Sequence, residues 1–515
     1  MTVDYSVYLV TDSGLVPEGL TLYDQVKASV ENGATIVQLR EKHLETKEFI
    51  ERAQAIHEIT KKAGIPLIIN DRLDVAIAVD AEGIHVGQDD FPVAKLRQIL
   101  GPNKIIGLSV KDVDEAREAI KENLVDYIGI GALYATATKE LKKIPMGPQG
   151  AREVLKVLRD EGGQHIKSVL IGGINDSNAS RSLYTSAIPG KSTDGIAVVS
   201  NIIASKDAGL ATKKLSDIVK NTTKSFLVDN NTTNINPSSE IIENVKSISP
   251  MVHQITNNVV KLFSANVTLA IGASPIMSED ANDYSEFAKY PNSTLLLNTG
   301  TVQEPQIYLK AVREYNLNLK PVVLDPVGAG ASVLRRLTIK NNLNNGHYTV
   351  IKGNEGEILT AAGIETQMKG VDSVEKNSIE FLIAAAKKLA LNTRSIVVVT
   401  GETDIIVDGS LTGEYYIDET VKQTVVTING GHHFLGKVTG SGCSLGSVIA
   451  SYLGSNPKTP FLATITAVAL YKEAGTRAGK ISSGPGSFVP NFIDELYKLT
   501  LENNPKSWTL DIKSV

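Results

Sequence analysis

The chain has 515 residues, 42% hydrophobic and 21% charged, with 52 basic against 57 acidic side chains and a formal net charge of −5. With a mean hydropathy of −0.03, this excludes a disordered, collagen-like or coiled-coil chain and offers no broad basic surface for nucleic acid or anionic membrane. One cysteine excludes an internal disulfide, and no run of about 18 apolar residues is present to span a bilayer. Residues 1–7 lack a basic segment followed by an apolar run, so no signal peptide is expected; the expectation is a cytoplasmic enzyme without a nucleic-acid or membrane partner. At about 150 residues per domain, two or three domains are expected. In chain order, short apolar runs fall at 5–11, 35–40, 66–71, 83–87, 105–110, 127–133, 168–174 and 195–200. Stretches of helical period, such as 46–63 and 112–121, separate most of them, an alternation that predicts a closed (β/α)₈ barrel. Residues 221–240, NTTKSFLVDNNTTNINPSSE, are rich in Asn, Thr and Ser and read as a linker between domains at 1–220 and 241–515. Beyond it, the runs 293–297, 320–325, 348–352 and 395–400 read as parallel strands, with helices at 378–391 and 460–475. That pattern predicts a layered α/β fold.

In the first half, polar residues collect at or just past the strand ends, the face where barrel enzymes act. Gln38, Arg40 and Lys42 stand at alternate positions and share a side, a grouping suited to a diphosphate. Asn70-Asp71 and Asp90 follow neighbouring strands, where two carboxylates can share Mg²⁺ or cap the helices that follow. His85 reads as a satisfied strand histidine. Ser109 also stands at a strand end; Ala135–Lys139 offers hydroxyls and an ammonium as a second anion site, and Gly172-Gly173 with Val199-Ser200, which opens the last helix, looks like a phosphate grip.

The segments QLREK, IIND, HVGQDD, GLSV, TATKE, IGGI and VVS, in this order, resemble thiamine-phosphate synthases across nearly all of residues 1–220. The resemblance implies a TIM barrel that couples hydroxymethylpyrimidine diphosphate to a thiazole phosphate and releases pyrophosphate. Gln38, Arg40, Lys42, Asn70, Ser109 and Lys139 would then hold the pyrimidine diphosphate, and Asp71 and Asp90 the Mg²⁺. Thr136, Thr138, Gly173, Val199 and Ser200 would hold the thiazole phosphate. A thiazole tautomerase shares the barrel but has lost much of the diphosphate set, which this chain keeps.

In the second half, VTGSGC precedes an apolar helical run at 444–453. Its glycines let backbone N–H groups approach a phosphate at a helix N-terminus. Cys443 there is either a base with a lowered pKa or a buried small apolar residue. With PMVHQITNNVVKLFSANVTLAIGASPIM, LLLNTG, VVLDPVGAGAS, IKGNEGEI and VVVTGETD, the region 241–515 resembles hydroxyethylthiazole kinases, of the ribokinase-like superfamily. The resemblance implies that Met277 and Gly440 contact the thiazole alcohol. It gives the ATP contacts to Lys352, in place of a common arginine, and Thr400. Cys443 would occupy the place of the usual aspartate base. Asp325 and Glu357 would support nucleotide-bound Mg²⁺ through water, and Gln254, where asparagine is expected, would stand at the substrate end. His432-His433 reads as surface polar residues rather than a metal pair. The product of the second half can be a substrate of the first, so one bifunctional enzyme is expected, against a sensor with one degenerate half. The kinase family's trimers imply a homo-oligomer.

Overall fold

The structure, a computed structural model, describes residues 3–134, 145–188, 190–225, 234–301, 305–364, 368–369, 372–373, 377–409 and 423–515. It divides into two compact units, with the boundary in the chain between residues 228 and 229. Among the described residues, no helix is long and apolar enough to cross a membrane.

The first unit is a closed barrel of eight parallel strands in sequential order. They are β1 (Val7–Val10), β2 (Ile36–Leu39), β3 (Leu67–Asn70), β4 (Gly83–Val86), β5 (Ile105–Val110), β6 (Tyr127–Ile130), β7 (Lys167–Ile171) and β8 (Gly195–Val198). Pairing of β1 with both β2 and β8 closes the ring. VYLV, IVQL, GIHV, YIGI and GIAV are buried at every position. Helices cover a barrel strand outside and side chains fill the inside, so both faces must be largely apolar and the run is continuous. Between strands, the helix Thr46–Ala63 stops at Gly64, whose φ of 70° suits glycine. Asp112 accepts from Glu115 N to open Val113–Glu122.

After β8 the expected last helix is instead two. Ser200–Ile203 ends within four residues, and the Asp207 carboxylate accepts from Leu210 N to restart helix over Ala208–Ser225. With the helix Ser239–Ile248, both ends of the Asn-rich stretch at 221–240 are helical.

The barrel core holds aromatic hydroxyls among its aliphatics: Tyr5, Tyr8 and Tyr127 lie with Val10, Ile36, Ile68, Val169 and Ala197. Gly107 makes room for them, since a Cβ there would stand 2.1 Å from Tyr127 Cζ. Gly107→Ala is therefore expected to destabilise the barrel by about 1–3 kcal/mol, the usual cost of overpacking, read as a lower Tm.

The second unit is built on a nine-stranded sheet in the order β10-β9-β11-β12-β13-β16-β17-β18-β19. Its strands are β9 (Met251–Ile255), β10 (Ser274–Ile276), β11 (Ser293–Asn298), β12 (Val322–Asp325), β13 (Val350–Asn354), β16 (Ile396–Thr400), β17 (Thr403–Val407), β18 (Val425–Asn429) and β19 (Asp511–Ser514). The short pair β14 (Met368–Lys369) and β15 (Asp372–Ser373) lies apart. The strands from β10 to β16 run parallel, and β17, β18 and β19 add an antiparallel edge. Alternate residues divide between two cores. Leu296 and Val323 pack towards the helices Ser441–Ser455, Pro460–Ile481 and Pro485–Glu502. Leu295, Leu297, Val322 and Leu324 pack on the opposite face. This is the expected layered α/β arrangement, and it brings the C-terminal ends of β11, β12 and β13 to the first turn of Ser441–Ser455.

Two candidate active sites

On the barrel rim, β2 ends in Gln38 and Leu39, and Arg40 follows directly. Arg40 N donates to Thr11 Oγ1 at 3.0 Å, and its guanidinium lies 3.6 Å from Asp12. Asn70 closes β3, and Asp71 turns the chain with a left-handed φ of 60°. Burial, then the charge of Asp90 and a hydrogen bond with it, push the Asp71 carboxyl up to about 6, against the opposing pull of Lys42. Two neighbouring carboxyls with a lysine nearby suit a hard divalent cation. Asp90 also accepts from Gly87 N at 2.7 Å, so it shapes the loop after β4 as well. Among the described residues, no cluster of three or more His, Cys, Asp or Glu could hold a metal; the pair would need ligand oxygens to complete a shell.

Ser109 stands at the C-terminal end of β5. Its hydroxyl lies 2.9 Å from His85 Nε2, and its carbonyl accepts from Gln88 Nε2 at 2.8 Å. His85 is thus partnered within the barrel, as the sequence reading has it. After β7, Gly172 and Gly173 have φ of 99° and 69°. A Cβ on Gly172 would stand 2.7 Å from Ala132 Cα, so the turn both needs glycine's backbone range and leaves no room for a side chain. The Gly173 carbonyl accepts from Asn178 Nδ2 at 3.0 Å. Val199 precedes the helix that Ser200 opens. Thr136, Thr138 and Lys139 lie outside the described residues.

In the second unit, Gly440 precedes the helix Ser441–Ser455 with a φ of 88°. A Cβ there would lie 2.7 Å from Val260 Cγ1. Cys443 sits in the first turn, with Asn257 Nδ2 at 3.7 Å from its sulfur. The expected lowering of its pKa is not found: burial, then the Asp325 charge, push the thiol up to about 11. Desolvation outweighs the helix end and the neighbouring Lys352.

Beneath the glycine turn runs a buried polar chain. Lys352 Nζ lies 2.9 Å from Asp325 Oδ1, with side chains 3% and 0% exposed. Asn298 Nδ2 donates to Asp325 Oδ2 at 2.8 Å, and Asn298 Oδ1 accepts from Asn257 Nδ2 at 3.2 Å and Gly300 N at 3.0 Å. Burial would lower the Lys352 pKa, but the charges of Asp325, Glu357 and Cys443 hold it above the usual lysine value. Its ammonium stands 3.7 Å from where a Cβ on Gly442 would be. Glu357 accepts from Gly328 N and Asn354 N at 2.8 Å each, and burial with Asp325's charge pushes it up to about 7.

Thr400 ends β16. The turn after it is held by Lys472, which donates to the carbonyls of Gly401 and Glu402 at 3.0 and 2.9 Å and lies 3.3 Å from Asp404. Met277 follows β10 and is half-buried.

Two expectations change. Gln254 is fully buried between Thr268 Oγ1 and Ser447 Oγ, at 2.9 and 2.8 Å, and so pins the sheet to its helices rather than facing a substrate. His432 is half-buried against Phe434 and Phe488, in the space that Gly479 leaves open; only His433 is exposed. Residues missed by the sequence reading are Asn257, Asn298, Asp404 and Lys472. The two asparagines stand in ITNN and LLLNTG, beside residues that were noticed. Lys472 was detectable as a cation on the mainly apolar helix Pro460–Ile481.

Both halves match known proteins. A family model described as the hydroxyethylthiazole kinase family matches residues 242–502, and one described as thiamine monophosphate synthase matches residues 7–202. The chain is 44% identical to the thiamine biosynthetic bifunctional enzyme of Saccharomyces cerevisiae, with 99% of this chain and 98% of that protein covered. It is 42% identical to the hydroxyethylthiazole kinase of Carboxydothermus hydrogenoformans, over 52% of this chain and 94% of that one. It is also 42% identical to the thiamine-phosphate synthase of Chloroflexus aurantiacus, over 44% of this chain and 97% of that one.

Proposed function

We infer the chemistry from one premise: this chain belongs to the family of thiamine biosynthetic bifunctional enzymes. It is a thiamine-phosphate synthase joined to a hydroxyethylthiazole kinase. The barrel couples hydroxymethylpyrimidine diphosphate with thiazole phosphate, giving thiamine phosphate and pyrophosphate. The second unit phosphorylates 4-methyl-5-(2-hydroxyethyl)thiazole with ATP. The observation that carries this is the match of both halves at once, over 99% of the chain, to a single bifunctional relative. Its test is to assay the full chain for each half-reaction separately. Pyrophosphate release must require both barrel substrates, and ADP release must require the thiazole alcohol.

On the barrel rim, Gln38, Arg40, Lys42, Asn70, Ser109 and Lys139 hold the pyrimidine diphosphate in this reading. Thr136, Thr138, Gly173, Val199 and Ser200 hold the thiazole phosphate. Asp71 and Asp90 would hold Mg²⁺, a role supported by their proximity at the rim, where the charge of Asp90 helps to raise the Asp71 carboxyl. Bound there, Mg²⁺ supplies charge neutralisation to a departing pyrophosphate. The chain's own part is to orient the diphosphate with Arg40, Lys42 and Lys139, and to hold the thiazole nitrogen in line with the methylene it attacks. No general base on the nucleophile is needed, because that nitrogen carries a lone pair; positioning and electrostatics do the rest.

In the kinase, Met277 and Gly440 contact the thiazole alcohol, and Thr400 the ATP. The N–H groups of Gly440–Gly442 would stabilise the charge on the phosphoryl group as it passes from ATP to the alcohol oxygen, with the Lys352 ammonium close to Gly442. That position fits Lys352 for the phosphate end of ATP, while its partner Asp325 keeps it in place. Asp325 and Glu357 would support nucleotide-bound Mg²⁺ through water in this reading. In this reading Cys443 is the candidate base for the substrate alcohol, acting through the minor thiolate population that its burial leaves. Cys443→Ala is expected to lower kinase kcat by a factor of at most ~10²–10⁴, the range of general-base assistance, with coupling intact. Cys443→Asp should retain or exceed wild-type turnover. If Ala outperforms Asp with no kinetic deficit, the thiol is packing only. The protein is read as a cytoplasmic homo-oligomer whose partners are small molecules.

A further inference from the structure

We propose that Tyr8, Tyr127 and His85 form a directed hydrogen-bond relay through the barrel core, which fixes the tautomer of His85 and leaves the Ser109 hydroxyl free to donate to a bound anion. The relay follows from the geometry of the core; that the anion is the pyrimidine diphosphate rests on the barrel reading above.

Four hydrogen bonds link β2 to β5 through the middle of the barrel. Gln38 Nε2 donates to Tyr8 Oη at 2.8 Å. Tyr8 Oη and Tyr127 Oη are 2.7 Å apart, and Tyr127 Oη lies 2.9 Å from His85 Nδ1. His85 Nε2 then lies 2.9 Å from Ser109 Oγ. Distance alone leaves the direction of the middle bonds open, and proton counting closes it. Tyr8 and Tyr127 are 1% and 0% exposed, so neither phenol proton can turn to water, and each needs an acceptor. The Tyr8 hydroxyl meets a donor in Gln38, so its own proton goes to Tyr127. Tyr127 therefore gives its proton to His85 Nδ1. A neutral imidazole that accepts at Nδ1 carries its hydrogen on Nε2 and donates to Ser109 Oγ. Ser109 accepts inside the barrel and keeps its own O–H for the rim.

Run the other way, the chain strands the Tyr8 proton against an amide N–H. Burial raises both phenol pKa values far above the usual tyrosine value, so the hydroxyls stay neutral and able to relay. The fold also makes space for the chain. A Cβ on Gly107 would enter the Tyr127 ring, and one on Gly129 would touch His85 Cε1 at 3.4 Å. Tyr8, Tyr127 and His85 are thus positioning residues: they set what Ser109 offers a ligand without touching it.

The test starts from the unmodified full chain labelled with ¹⁵N-histidine, the His85 signals being those lost in His85→Gln. A single neutral tautomer with hydrogen on Nε2 is expected, and hydrogen on Nδ1 would overturn the relay. Gln38→Glu replaces the donor with a group that only accepts, so it should reverse the chain and move the His85 hydrogen to Nδ1; an unmoved signal would count against the mechanism. Tyr127→Phe removes the central hydroxyl and keeps the ring. It should raise KM for the pyrimidine diphosphate about tenfold or more, as when a hydrogen bond to a charged group is lost, with KM for the thiazole phosphate and the kinase unchanged. A lower Tm with both KM values unchanged would reduce the chain to structural glue. Should the wild-type barrel couple no substrates, the barrel reading fails while the tautomer result still judges the relay.

Discussion

Asp71→Ala and Asp90→Ala are each expected to depress pyrimidine–thiazole coupling by about 10²-fold or more while kinase turnover stays near wild type. A cation that neutralises a departing diphosphate supplies several kcal/mol of charge stabilisation, and about 1.4 kcal/mol is one decade of rate. The two carboxyls are each other's neighbours, and the strain of that pairing is visible in Asp71, whose pKa is pushed up to about 6 by burial and by Asp90. Two like charges side by side oppose the fold, and a bound cation would relieve that repulsion. Asp90 has a structural duty as well, accepting from Gly87 N. Asp90→Asn separates the two: it keeps an oxygen for Gly87 and removes the charge. Coupling should fall in Asp90→Asn nearly as far as in Asp90→Ala, with the thermal melt largely preserved. Normal coupling in Asp90→Asn would leave the carboxylate as a loop staple only. Equal loss of coupling and kinase activity would show that the variants damage the whole chain.

The second large effect is expected at Lys352. Its ammonium and the Asp325 carboxylate are both out of water, 2.9 Å apart. Removing one member of such a pair leaves an uncompensated buried charge, at a cost of about 3–5 kcal/mol. Lys352→Met should therefore abolish kinase activity and lower the melting temperature of the second unit, with coupling by the barrel retained. Lys352→Arg keeps the charge and, with Asn298 still donating to Asp325, should retain folding and a measurable share of activity. A stable, active Lys352→Met would remove the cation from the phosphoryl site.

Much of this was legible in the sequence because its physics is local. A parallel strand covered on both faces must be a continuous apolar run, so VYLV, IVQL and YIGI announce themselves, and polar residues just past them point to the rim proposed as the active face. The glycines of VTGSGC likewise foretold the turn at Gly440. What stayed hidden depends on partners brought together by the fold. Nothing near Tyr8 in the chain tells that its hydroxyl meets Tyr127, or that Asp404 meets Lys472. Gln254 is placed at the substrate end by resemblance alone; only the packing of β9 against the helix Ser441–Ser455 shows it buried on Ser447. The sequence leaves open whether the helix end or burial governs the Cys443 thiol, and desolvation is the larger effect. The antiparallel strands β17, β18 and β19 were missed because an edge built from three separate chain segments carries no alternating-helix signature.

One chain, in this reading, holds two active sites that share an intermediate. Incubating the full chain with Mg²⁺, ATP, the thiazole alcohol and hydroxymethylpyrimidine diphosphate tests it most directly, with thiamine phosphate as the product followed. Thiamine phosphate should form, should require ATP when the thiazole is supplied as the alcohol, and should not require ATP when thiazole phosphate is supplied instead. Absence of thiamine phosphate from thiazole phosphate and pyrimidine diphosphate, in a folded chain, would contradict the account.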